Sequence, residues 1–111
     1  MCQMSIKYTP EAAKMKEALL RKYRRQSFKI KTLLTDSEEK ITTSPASEED
    51  ETQIVIAIIN GKVVRVTAYI KKSKDTITCG DRVIKTGIFL TFIYAINTVY
   101  QRIEVIGIYN S

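Results

Sequence analysis

Residues 53–72 restrict the fold of this chain more than any other stretch. The run Gln53-Ile54-Val55-Ile56-Ala57-Ile58-Ile59 and the run 62–72 flank Asn60-Gly61. β-Branched residues favour extended backbone, and Asn-Gly supplies the two positive-φ positions of a type I′ turn. A two-residue hairpin is predicted, with Ile59 paired to Lys62. That register puts Val55, Ala57, Val64, Val66 and Ala68 on one face, and Ile54, Ile56, Ile58, Val63, Arg65, Thr67 and Tyr69 on the other. Both faces are largely apolar near the turn, so the hairpin needs cover on two sides, from its own helices or from a second subunit.

Elements on either side follow from periodicity. Thr9-Pro10-Glu11 is a helix start: a capping hydroxyl, a proline suited to the first helical position and an acid that complements the dipole. Ala12, Met15, Leu19 and Tyr23 then recur at steps of three and four, which predicts a helix over residues 10–25. Lys14, Arg21 and Arg25 fall opposite that apolar stripe, with Lys22 and Arg24 on its flanks. Residues 27–34 alternate and read as a half-exposed strand whose outer side carries Lys29 and Lys31. Residues 35–52 hold Ser, Thr, Asp, Glu and one Pro, with Ile41 the only large apolar side chain, and read as a flexible acidic loop. Residues 75–79 extend the meander to a Gly80-Asp81 turn. Over residues 83–102, Ile88, Phe89, Phe92, Ile93, Ala95, Ile96, Val99 and Tyr100 span one arc, which predicts a buried amphipathic helix. Residues 103–109 form a last strand, where Gly107 marks a bulge or a close backbone approach.

The expected fold is α+β: an N-terminal helix, a mainly antiparallel sheet with a central Asn-Gly hairpin, a buried amphipathic helix and a closing C-terminal strand. A chain of 111 residues can bury one core, so a single domain over 1–111 is expected, with the acidic loop at 35–52. From Gln53 onward the element order matches the first half of ribonuclease H-like domains, in order alone. Two-metal nuclease chemistry there needs carboxylates on the first strand and helix, and residues 53–59 and 87–101 contain none.

The chain has no histidine, which removes Ser–His and Cys–His nucleophilic systems and the HExxH metal motif. Cys2 and Cys79 match no zinc-ligand or CxxC spacing, and the opening residues have no apolar run of the signal-peptide kind. An intracellular protein, cytoplasmic or nuclear, is expected. Cys79, near Lys74 and Arg82, is a candidate reactive thiol, but reads first as a small residue at a strand end. Asp75 and Asp81 could pair for acid–base work; beside turns, aspartates chiefly bond the backbone. The four glycines are isolated, so no phosphate-binding loop is present. No enzymatic activity, metal or small-molecule cofactor is expected. The longest uncharged run, residues 86–101, has sixteen residues, fewer than the roughly twenty that span a bilayer, so no membrane partner is expected.

Charge points to binding instead. The net +6 divides into blocks: residues 1–34 hold nine bases and two acids, residues 35–52 one base and seven acids, residues 53–111 eight bases and three acids. Lys14, Arg21, Lys22, Arg24, Arg25, Lys29 and Lys31 are the candidate nucleic-acid contacts, and Tyr23 and Phe28 lie among them. Cations contact phosphates and interleaved aromatics stack on bases, whereas in a merely solvated helix both rings would turn inward. A second basic group is Lys71, Lys72, Lys74, Arg82 and Lys85. Glu48-Glu49-Asp50-Glu51 can solvate a loop or lie over the basic face, and Ser37 and Ser47, each followed by acids, fit the loose pattern of acid-directed kinase acceptors. The first reading is a small non-enzymatic nucleic-acid-binding accessory protein, of the sort a virus or mobile element carries. The second is a homodimeric protein-interaction or inhibitory module acting through its apolar sheet face or acidic loop.

Overall fold

The structure, a computed structural model, describes residues 5–44 and 51–110. Its first strand, β1 (Ser5–Tyr8), is four residues long, too short to be legible from periodicity. Helix α1 (Pro10–Lys22) starts as expected: the Thr9 hydroxyl accepts from the Ala12 N–H at 3.3 Å, and Pro10 opens the helix. It buries Ala12 and Leu19 and stops three residues early, where Arg24–Gln26 tighten into a 3₁₀ turn.

The expected strand over residues 27–34 is helix, and so is the first half of the expected acidic loop: α2 runs Ser27–Thr43. Ile30, Leu33, Leu34, Ser37 and Ile41 are its buried residues, a three-and-four spacing that continues through the polar stretch. Strand-like alternation arose because Ile30 and Leu34 satisfy both periods. The many hydroxyls do not break this helix, since they bond back onto it: Ser37 Oγ donates to the Leu33 carbonyl at 2.8 Å and Thr35 Oγ1 to the Lys31 carbonyl at 2.9 Å. Ser37 is thereby buried and used, not presented to a kinase. Residues 45–50, the rest of the expected loop, with Ser47, lie outside the described residues.

The hairpin of β2 (Glu51–Ile59) and β3 (Lys62–Lys72) has the expected register, Ile59 opposite Lys62. Asn60 and Gly61 take φ of 54° and 75°, the left-handed pair that a type I′ turn requires. β4 (Thr76–Cys79) forms where a third strand was expected, but pairs with β5 (Arg82–Lys85) in a separate two-stranded sheet.

The helix expected over residues 83–102 is not present. Instead β5 is followed by β6 (Leu90–Asn97), a turn, and β7 (Arg102–Asn110). β6 lies in mid-sheet, with Leu90, Phe92 and Tyr94 buried on one face and Ile93 half-buried on the other. A strand apolar on both faces shows no period of two, so a helical arc fits it by default. The ribonuclease H-like order of elements fails with that helix.

The main sheet has the order β1-β7-β6-β3-β2; β1 pairs parallel with β7, and the other pairings are antiparallel. The fold is α+β, two N-terminal helices packed on a mixed five-stranded sheet, with the β4–β5 hairpin alongside. Ile93 faces Gly107 and Tyr94 faces Val105, so Ile106 is the extra residue of a bulge. A Cβ on Gly107 would lie 2.9 Å from Cε2 of Tyr109, so what comes close to this glycine is a side-chain ring and not the backbone expected there. The core joins Ala12, Ile30 and Leu34 from the helices to Phe92, Tyr94, Ile103 and Val105 from the sheet, with Ile77 of β4. Each isoleucine, leucine, valine or phenylalanine among them contributes on the order of 2 kcal/mol on burial. No helix among the described residues is long and apolar enough to cross a membrane.

Candidate nucleic-acid interface

The turn between α1 and α2 concentrates positive charge. Residues 21–31 contain Arg21, Lys22, Arg24, Arg25, Lys29 and Lys31 and no acid. All are exposed except Lys29, which is half-buried. Tyr23 packs against the core, accepts a hydrogen bond from Asn110 Nδ2 at its hydroxyl, and has the Lys22 ammonium 5.3 Å from its ring centre. Phe28 does the opposite. At 100° per residue it sits diametrically across from the buried Ile30–Ser37–Ile41 side of α2, and it remains 59% exposed. A large apolar ring stands in solvent, within a stretch of chain whose charged residues are all basic.

The seven candidate residues do not form one continuous face. Lys14 shares the outer side of α1 with Arg21, but Glu17 lies between them. Lys29 and Lys31, expected side by side on a strand, are about 200° apart on α2 and flank Phe28 from either side. Of the second basic group, Lys71 lies at the other end of α2 from this corner: its ammonium donates to the Ser44 carbonyl at 2.7 Å, just past the C-terminus of α2. Seventeen residues of helix separate the two ends of α2, about 25 Å.

Part of the acidic block has a structural task. Glu38 Oε1 accepts from the Tyr8 hydroxyl and from the Lys16 ammonium at 3.2 Å, joining α2 to β1 and α1, and the Lys16 nitrogen lies 4.6 Å from the Tyr8 ring centre. Burial, then the hydrogen bond to Glu38 and its charge, push the Tyr8 phenol well above its ordinary value.

The remaining candidates do not assemble into a reactive centre. Cys79 ends β4, the strand-end position expected of it, but as a free, exposed thiol and not as a buried or half-buried residue. The Asp75 carbonyl accepts from the N–H and hydroxyl of Thr86 at 2.6 and 2.8 Å, while Asp81 lies exposed in the β4–β5 turn. No cluster of His, Cys, Asp and Glu able to hold a metal occurs among the described residues.

One polar site escaped the sequence reading. Glu104 is 2% exposed, and its Oε1 accepts from Arg102 Nε and, at 3.5 Å, from Asn97 Nδ2. The Arg102 guanidinium lies 4.7 Å from the Tyr100 ring centre. Glu104 borders a groove of about 780 Å³ that opens where β3 and β6 part beyond the Tyr69–Tyr94 pair. A single acid within an apolar closing strand was the available signal. No protein-family model matches the chain, and comparison with curated proteins and with solved structures finds no match either.

Proposed function

We propose that the protein is a non-enzymatic nucleic-acid-binding accessory protein whose α1–α2 corner contacts a single strand. The observation that carries this reading is Phe28, 59% exposed at the start of α2, flanked around the helix by Lys29 and Lys31 and following Arg24 and Arg25 in the chain. A buried ring in this place would have favoured a merely solvated helix. Arginine and lysine neutralise phosphates, and a ring in solvent offers a base a stacking surface without discriminating among sequences. Among the original candidates, Arg21, Lys22, Arg24, Arg25, Lys29 and Lys31 form the corner, and Lys14 lies at its margin.

A mobility-shift titration of the pure protein against single- and double-stranded DNA and RNA, repeated across a salt series, tests the reading. Binding that weakens linearly in log–log form with salt, and more strongly retained by single strands, is the expected result. Absence of binding at low salt, or binding indifferent to salt, contradicts it.

A further inference from the structure

We infer that the outer edge of β2, which pairs with no strand among the described residues, is a self-association surface, at which two copies of this chain pair their β2 strands antiparallel about a two-fold axis at Ile56. This is independent of the nucleic-acid reading. Natural sheets blunt exposed edges with short strands, lysines, prolines or bulges. The opposite edge of this sheet is managed in that manner: β1 has four residues, includes Lys7, and passes into α1. β2 has nine residues, no proline and no register shift, and its one charge, Glu51, is at the far end from the turn. An uncharged rim meets no like-charge penalty when it pairs with itself.

The side chains favour the same occupant. Tyr69 stacks on Tyr94 at 5.8 Å between ring centres, so the hairpin face carrying Ile54, Ile56, Ile58 and Val63 continues the face on which the helices pack. Only the start of α1 borders it, Thr9, Pro10 and Glu11 lining a groove of about 300 Å³ with Ile56, Ile58 and Val63, and Ile54, Ile56, Ile58 and Val63 stay 64%, 74%, 50% and 71% exposed. Together they present roughly 500 Å² of surface, the size of the largest patch on a typical monomer and often a functional one, with Arg65 paired across from Ile56 as its one charge. A standard interface uses about 800 Å² from each partner, more than the patch alone supplies, so the backbone rim of β2 has to contribute to it.

The closing pair Ile59–Lys62 of a two-residue hairpin exchanges both backbone bonds, so the N–H and C=O groups of Ile54, Ile56 and Ile58 point to the open rim. A two-fold at Ile56 sets Ile54 against the partner's Ile58 and Ile56 against the partner's Ile56. Every isoleucine on that face then meets another, and Glu51 falls opposite the partner's turn, beside its Lys62.

Sedimentation equilibrium and cross-linking test this. The wild-type chain is expected to approach twice 12.7 kDa at micromolar concentration, and Ile56→Lys to remain folded by circular dichroism at the single-chain mass. With Cys2 and Cys79 replaced by serine, Ile56→Cys is expected to give a covalent dimer with a short bismaleimide, while Cys introduced at Lys14 does not. A wild-type monomer, a dimer that survives Ile56→Lys, or Ile56→Cys that cross-links no better than the Lys14 control overturns the inference. Should Ile56→Lys fail to fold, the comparison of the two cross-links decides.

Discussion

Arg102 Nη2 donates to the Asn60 side-chain oxygen at 2.8 Å, fastening the tip of the β2–β3 hairpin to the first residue of β7. The fastening lies beyond the stretch in which β3 and β6 are unpaired, so it closes one end of the groove. Asn60 also holds a positive φ of 54°. Asn60→Gly loses the hydrogen bond, about 0.5–1 kcal/mol at an exposed site, and recovers part of that because a residue without a Cβ holds positive φ at less cost. Asn60→Ala loses the same bond and keeps a Cβ at positive φ without the short polar group that lets asparagine tolerate it, about 1 kcal/mol more. Urea denaturation should therefore rank wild type above Asn60→Gly above Asn60→Ala; equal losses in both variants would mean that the turn is not strained by a side chain.

Glu104 and Arg102 form the most deeply placed ion pair among the described residues, their side chains 3% and 20% exposed. Glu104→Gln keeps the shape and removes the charge, leaving the guanidinium with a weaker acceptor. The expected loss is about 1–3 kcal/mol in urea denaturation. Because the pair is largely shielded from water, the loss should change little between low and high salt, unlike that of an exposed pair.

Tyr8 sets a pH dependence. Its phenol is raised by burial and by Glu38 above the ordinary 10.0. Above that pH the unfolded chain releases the proton while the folded chain keeps it, so the unfolded state binds fewer protons and stability falls as pH rises. The contribution is full below pH 10 and is lost above it. Urea midpoints measured at increasing alkaline pH should decline for the wild type. Tyr8→Phe should start lower at neutral pH, having lost the bond to Glu38, and decline less steeply.

The legible parts of the fold were those where one local signal met no competitor. Asn60-Gly61 fixed the hairpin, its register and both its faces, and Thr9-Pro10 fixed the start of α1. Residues 27–43 and 83–102 were misread for opposite reasons. In α2, hydroxyl-rich polarity concealed a helix whose buried side is read only when Ile30, Leu33, Leu34, Ser37 and Ile41 are counted together. In β6, burial on both faces erased the period of two that marks a strand. The basic corner was legible as a composition, but its geometry was not. Lys29 and Lys31 share a side of a strand yet flank Phe28 on a helix, and no local pattern distinguishes the inward Tyr23 from the outward Phe28. Their difference depends on what Asn110 and the core offer at the far end of the chain.

The most direct measurement is the affinity of Phe28→Ala and of Arg24→Glu/Arg25→Glu for a single-stranded oligonucleotide across a salt series. Both changes lie at exposed positions, so the fold should be unaffected. Phe28→Ala is expected to weaken binding by roughly five- to a hundredfold with the salt slope unchanged, the loss of one stacked base. Replacing the two arginines is expected to lower the magnitude of the slope by about 1.4, at roughly 0.7 per phosphate contact. Wild-type affinity and slope in both variants would contradict an interface at the α1–α2 corner.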